Sequence, residues 1–477
     1  MPEKLNFRNL CYAAIALCTF LLSFSCKKGP NPTKNQKPNI IFLLTDDQRW
    51  DALGASGNPI IQTPKIDALA RDGVHMENAY VTTSICAVSR ASILSGQYSL
   101  MHGIQDFNTS FSQEALNQTY PSLLKQNGYK IGFIGKYGVG NPKDQPKESF
   151  DFWAVEEKHQ PNYENKDEKG IYLHHTQMVA NHINSFLNST KGEEPFCLSV
   201  SFKAPHAEDG DPRQFIPDPK FDSLYNDITI KKPETAQSTY WESFPDFFRT
   251  EKNIARTRWK LRFETEEKYQ ESVKNYYRLI SGVDQVVGDL RAKLEQMGIA
   301  DNTIVIFTSD NGMYLGEHGL AGKWYGHQES IRIPMIFYDP RNNMDILRRH
   351  NKDIVLNIDI APTILGFAGV QVPKQMQGLD LTIDNFNSSE RSTFFYEHSV
   401  FQSPELPNVE GVVSKGFSYM NFIEHNYETL YDLKLDPFET KNLIEDQNYK
   451  TILTEQRRIY NRLKDEAKQT TLDYERK

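Results

Sequence analysis

Four short apolar runs restrict what this chain can become. Asn39 to Thr45, Lys130 to Ile134, Phe196 to Phe202 and Thr303 to Thr308 are apolar almost throughout and lack a helical period, the pattern of strands covered on both faces of a parallel sheet. Helical patterns lie between them. TPKIDALARDGVHMENAY, from Thr63, predicts a capped amphipathic helix with Ile66, Leu69, Ala70 and Val74 on one face. Val88 to Tyr98, rich in small residues, predicts a closely packed helix that starts just after Cys86. Tyr269 to Gln296 predicts a long helix, with Tyr276, Leu279, Ile280, Val283, Val287 and Leu290 inward and Gly298 as its stop. PMIFYDP reads as a further strand and VLNIDIAPTILGFAGV as a helix. Such alternation predicts an α/β fold, a large, mixed and mostly parallel sheet sandwiched by helices.

The pattern changes after about Phe386. STFFYEHS, EGVVSKGFSYMNF and ETLYDLKLD alternate short aromatic strands with turns, and Tyr449 to Lys468 is helical. We expect a smaller C-terminal α+β subdomain with an antiparallel sheet. At 477 residues the chain exceeds what one core usually organises. The expected division is a leader at 1–25, a tether at 26–38, a main domain at 39–385 and a subdomain at 386–477. Asp209 to about Arg262, aromatic and of mixed charge, reads as loops over one face, where specificity tends to reside.

The leader predicts export. Lys4 and Arg8 precede the apolar run Leu10 to Phe24, which is short for a membrane span and has a secretory layout. Ser23, Phe24, Ser25 and Cys26 resemble a lipoprotein box, with Cys26 the residue to be lipidated. We expect a periplasmic or outer-membrane lipid-anchored protein of a Gram-negative bacterium, touching membrane only through that anchor. A mature chain would keep three of the five cysteines, Cys26, Cys86 and Cys197, of which the last two could pair in an oxidising compartment. The net charge of -8 argues against a nucleic-acid binder, since phosphate backbones reward a basic surface.

Chemistry concentrates where the apolar runs end. Asp46 and Asp47 stand where the first strand should emerge, the usual place for ligands in an open α/β sheet. The same residues would serve as a helix cap. Asp310 and Asn311 follow the fourth run, Gly135 and Lys136 the second, and His206 the third, after a proline-fixed turn. The stretch TTSICAVSRASILSGQY puts Cys86 near a helix start, where free backbone N–H groups and the macrodipole favour an anion, with Arg90 in the first turn. A glycine-rich loop then carries His318, Lys323 and His327, each able to approach an anion.

Taken together, TDDQ, the cysteine and arginine of CAVSR with LSG behind them, GK, PH, SDNG and a lysine after EHGL occur in the order of the type I sulfatase family. From Asn39 to about Leu443 the chain resembles that family, on the alkaline-phosphatase-like fold. The resemblance implies that Cys86 is oxidised to formylglycine by a maturation enzyme and that its hydrate is the nucleophile. It implies that Asp46, Asp47, Asp310 and Asn311 hold calcium, or magnesium in a tighter site. Arg90 would fix the alkoxide, and Lys136, His206 and Lys323 would grip sulfate, His206 or Lys323 giving the leaving alcohol its proton. Two positions depart from the family pattern. Val88 stands where proline or alanine is usual, and Gly138 where a histidine follows the lysine, a role His318 or His327 could assume. The expected substrate is a sulfated carbohydrate, a polysaccharide or glycosaminoglycan fragment. The alternatives are a phosphonate monoester or phosphodiester hydrolase on the same fold, and a catalytically dead glycan-binding protein.

Overall fold

The computed structural model describes residues 37–190, 194–341, 344–383, 391–399 and 405–469. The leader, Cys26, the tether up to residue 36 and the expected boundary at 385 and 386 lie outside the described residues. From Lys37 onward the chain forms one compact unit.

Seven strands make the main sheet: β1 (Asn39–Asp46), β2 (Val74–His75), β3 (Lys130–Gly135), β4 (Phe152–Val155), β5 (Phe196–Pro205), β6 (Thr303–Ser309) and β7 (Met335–Tyr338). Their order is β2-β7-β6-β1-β5-β3-β4. From β6 to β4 every neighbour is parallel, whereas β7 runs antiparallel to both β6 and β2. The sheet is therefore mixed and mostly parallel, with β1 at its centre.

The helices that matter here are α1 (Pro64–Asp72), α2 (Cys86–Ser95), α3 (His175–Asn188), α4 (Ile254–Arg262), α5 (Glu266–Gln296), α6 (Ile360–Phe367) and α7 (Lys450–Ala467). Successive β1 side chains point to opposite faces. Ile40, Phe42 and Leu44 join a core with Val88, Leu94, Tyr120 and Ile364. Ile41 and Leu43 join another with Ile66, Val179, Tyr276 and Ile280. Both faces are covered, which is why the run has no polar alternation. The C-terminal strands β8 (Thr393–His398), β9 (Val409–Ser414), β10 (Phe417–Phe422) and β11 (Tyr427–Asp432) form the expected antiparallel sheet. Phe395, Val412, Tyr419 and Leu430 of that sheet pack against Leu453 and Tyr460 of α7.

Three expectations need correction. The helix read from Thr63 onward stops at Asp72. Val74 instead enters β2 against β7, and Asn78–Tyr80 pairs in parallel with Ile354–Leu356, so tertiary pairing overrides the helical pattern. The Thr63 side chain does not cap α1. Asp284 of α5 does, accepting from the Lys65 and Ile66 amides at 2.8 Å each. VLNIDIAPTILGFAGV likewise divides into the strand Ile354–Leu356, a turn of 3-10 helix at Asn357–Asp359, and α6. The stretch read as loops at 209–262 contains the short helix Ser238–Glu242 and the nine-residue α4.

Candidate active site

The carboxyl ends of β1, β3, β5 and β6 meet the amino end of α2. Past Asp46 the backbone of Asp47 turns through a left-handed φ of 68°, a conformation that aspartate tolerates at a cost of about 1 kcal/mol. Three bonds hold this turn. The Asp47 amide donates to Asp310 Oδ1 at 3.1 Å, the Gln48 amide to Ser309 Oγ at 2.9 Å, and the Tyr276 hydroxyl to the Asp47 carbonyl at 2.8 Å. Two adjacent carboxylates thereby converge on one cluster instead of pointing to opposite faces of a strand.

Cys86 is the first residue of α2, and all ten residues of that helix are buried. Its thiol donates to Asp46 Oδ1 at 3.1 Å, and the Lys323 ammonium donates to its sulfur at 3.0 Å. Lys323 also pairs with Asp47, and Lys136 with Asp46. Arg90, one turn along α2, donates from Nε to Asp310 Oδ2 at 2.9 Å and from Nη1 to the Lys136 carbonyl at 2.6 Å and to Ser201 Oγ. Its Nη2 is buried without a hydrogen-bond partner, 3.5 Å from Asp46 Oδ2.

Lys136 reaches the site because β3 ends in Gly135 at φ 88°, where a Cβ would lie 2.0 Å from the Ser201 carbonyl oxygen. Gly138, at φ 72°, is excluded from carrying a side chain by Arg90, whose Cδ would stand 2.8 Å from its Cβ. The space into which a side chain at position 138 would project is thus occupied by Arg90.

His206 follows β5. Its Nδ1 faces the Ala207 carbonyl at 2.6 Å, which assigns the proton to that atom and leaves Nε2 as a lone pair. That Nε2 lies 3.3 Å from the Gln160 amide nitrogen and 3.6 Å from Asp47 Oδ2. Burial pushes His206 down to about 4 against the opposing pull of Asp47 and Asp46, so it is neutral at pH 7. Burial alone would raise Asp46, but the charges of Lys136, Arg90 and Lys323 together hold it well below the usual carboxylate range. Asp310 moves the other way, raised by burial and by the charge on Asp46. Burial and Asp46 push the Cys86 thiol far up, and a thiol so held is not a thiolate nucleophile at neutral pH.

The ligand atoms of Asp46, Asp47, Cys86 and His206 lie within 4.8 Å of one another. Asp310 and Asn311 adjoin them; the Asn311 amide nitrogen donates to Asp47 Oδ1 at 2.6 Å, and its Oδ1 is buried with no hydrogen-bond partner. Three carboxylates and an orphaned amide oxygen are hard donors that fit a divalent cation.

Nine of the residues singled out in the sequence converge here: Asp46, Asp47, Cys86, Arg90, Lys136, His206, Asp310, Asn311 and Lys323. His318 and His327 have other partners. Their rings stack on each other at 4.6 Å, His327 Nδ1 lies 2.6 Å from the Tyr314 hydroxyl, and both pack beside Phe244. Neither bonds to the Cys86 cluster; the two rings pack in the neighbouring aromatic wall. Cys86 and Cys197 are both free and buried, so they form no disulfide. Ser201 and Gln160 were not singled out, and Tyr276 was read only as an inward residue of the long helix. For Ser201 a signal existed: Ser199 and Ser201 are two polar residues in an otherwise apolar run.

A mostly parallel sheet whose central strand ends in paired carboxylates, faced by a helix start and fixed cations, provides a setting for a cation and an anionic group side by side. A model of the sulfatase family matches residues 38–370, and one described as N-sulphoglucosamine sulphohydrolase, C-terminal, matches residues 316–469. The chain belongs to the sulfatase family. It is similar to an N-acetylglucosamine-6-O-sulfatase of Bacteroides thetaiotaomicron, 28% identical over 498 residues that cover 90% of this chain and 86% of the relative. Among solved structures it resembles one in complex with its substrate D-glucosamine-2-N,6-O-disulfate, with a TM-score of 0.76, 24% identity and coverage of 92% of this chain and 100% of that one. It also resembles the phosphonate monoester hydrolase of Agrobacterium radiobacter, with a TM-score of 0.69, 20% identity and coverage of 90% and 96%. At these identities the two structures establish the fold alone.

Proposed function

We propose that this protein is an exported carbohydrate sulfatase that removes sulfate from a polysaccharide or glycosaminoglycan fragment. The observation that carries the reading is Cys86 at the start of α2, held between the Asp46 carboxylate and the Lys323 ammonium. Formylglycine at that position, once hydrated, supplies an oxygen nucleophile for sulfur. A divalent cation on Asp46, Asp47, Asp310 and Asn311, calcium or in a tighter site magnesium, supplies Lewis-acid polarisation of the ester.

The chain's own residues do the remainder. Arg90 is fixed by three bonds and keeps Nη2 uncommitted, so its planar fork orients the oxygen on residue 86 without risk of deprotonation. Lys136 and Lys323 bind the sulfate oxygens. Lys323 is the proton donor to the leaving alcohol, because His206 is neutral and its one proton is committed to the Ala207 carbonyl. His206 positions the substrate through Nε2. A carbohydrate is favoured over a small aryl sulfate by the named relative and by the aromatic, charged segment at 209–262. The leader supports export, and Cys26 supports a lipid anchor, for which acyl labelling of Cys26→Ala is the check.

Sulfate release from a panel of defined sulfated sugars, N-acetylglucosamine 6-sulfate among them, tests the reading. The expected result is a sugar sulfate turned over with a higher kcat/KM than 4-methylumbelliferyl sulfate. Activity confined to aryl sulfates refutes the carbohydrate assignment, and equal or better phosphodiester turnover refutes the sulfatase assignment. Binding without turnover by matured, metal-loaded protein would leave a glycan-binding protein.

A further inference from the structure

Asp209 and α4 lie near Lys323. α4 packs on the short strand Ala321–Gly322, which leads directly into Lys323, so helix and lysine share one framework. The helix is firmly placed. Asn253 caps it by accepting from the Ala255 amide at 3.0 Å, and Arg256 lies 3.8 Å over the Trp259 ring and 4.6 Å over Trp241 while donating to the Gly319 carbonyl at 2.9 Å.

Arg258 and Arg262 are four residues apart and therefore share a helix face. Both reach Asp209, Arg258 at 3.2 Å from Oδ2 and Arg262 at 3.5 Å from Oδ1. The two arginines differ in exposure. Arg262 is sealed in, its side chain 1% exposed and its Nε donating to Gln214 at 2.8 Å. The Arg258 side chain is 25% exposed and that of Asp209 42%. Arg258 lies 5.1 Å over the indole of buried Trp324, the residue after Lys323. Asp209 follows His206 by three residues, and Arg258, Arg262 and Lys323 together outweigh burial and lower its carboxyl.

We propose that Asp209 and Arg258 form a sugar-recognition subsite, an acceptor and a planar donor held 3.2 Å apart that bind adjacent hydroxyls of the residue carrying the sulfate. The inference rests on the carbohydrate-sulfatase reading and adds its specificity determinants. A vicinal diol offers one donor and one acceptor at matching separation, whereas an aryl group offers neither. Arg262 supports the pair from behind, as a positioning residue.

The test compares wild type with Asp209→Ala, Asp209→Asn and Arg258→Met on three probes: the monosulfated monosaccharide that wild type turns over best, its deoxy analogues at each ring position, and 4-methylumbelliferyl sulfate. Arg258→Met removes a partly exposed ion pair and should leave the melting temperature unchanged. Asp209→Ala also takes the carboxylate from buried Arg262, so its kinetics are read at a temperature where the variant is fully folded and beside Asp209→Asn, which keeps an oxygen acceptor. We expect kcat/KM on the sugar sulfate to fall about 100-fold or more in Asp209→Ala and Arg258→Met, while the aryl sulfate falls only a few-fold. Wild type should discriminate against one or two deoxy analogues, and the variants should lose that discrimination. Equal losses on both substrates, or discrimination that survives in the variants, overturn the inference. So does a wild type that cleaves aryl sulfate and no sugar sulfate better. A matured wild type that cleaves neither removes the sulfatase reading itself, a different failure.

Discussion

Restoring the family's histidine at Gly138 should damage this enzyme. Two costs follow from the structure. A residue with a Cβ at φ 72° costs about 1–2 kcal/mol. The Cβ would also lie 2.8 Å from Arg90 Cδ, and Arg90 cannot retreat without releasing a charged hydrogen bond to Asp310, the Lys136 carbonyl or Ser201. Each such bond is worth about 1.5–3 kcal/mol. Gly138→His should therefore lose roughly 3–5 kcal/mol by urea unfolding, and Gly138→Ala most of that. Turnover of the best sulfate ester should fall with it, about 100-fold if Arg90 is displaced from the oxygen on residue 86. A Gly138→His enzyme within 1 kcal/mol of wild type and equally or more active would refute the argument that Arg90 occupies the histidine's space.

Other expectations are briefer. Cys86→Ala should abolish sulfate release, with a stability change within about 1.5 kcal/mol by thermal unfolding, because a small thiol is lost from a strand-end pocket and the surrounding charges stay paired. A large fall in melting temperature would instead mark Cys86 as a core residue. Tyr276→Phe should cost about 2–3 kcal/mol and depress activity further, since the Asp47 carbonyl and the Arg49 amide both lose their buried partner. Burial pushes Glu397 from 4.5 up to about 7, against the bond from Ser99. A raised carboxyl pKa contributes stability that is complete below the unfolded value and lost as pH rises through 7, in all about 3 kcal/mol. Glu397→Gln should accordingly flatten the pH dependence of the melting temperature and exceed wild type at pH 8; parallel curves would contradict this.

Much of the fold was legible because β1, β3, β5 and β6 are covered on both faces, so their sequences are apolar almost throughout. The two-residue β2 was not, because Val74 and His75 form a strand only through the pairing that β7 provides. The site was legible where chemistry sits at a strand end, as with Asp46, Lys136, His206 and Asp310. It was illegible where the chain folds back. His318 and His327 share a glycine-rich loop with Lys323, yet the loop turns at a His318 φ of 55° and sends both rings into an aromatic cluster. The pairing of Asp209 with Arg258 spans 49 residues and depends on where α4 lands, which no local pattern encodes.

Residue 86 decides the central claim. Mass spectrometry of the peptide spanning Ser84 to Arg90, from protein made in its native host, should find the aldehyde or its hydrate at position 86, despite Val88 two residues on. An unmodified Cys86 thiol in a demonstrably active preparation would contradict the formylglycine mechanism, whatever the fold.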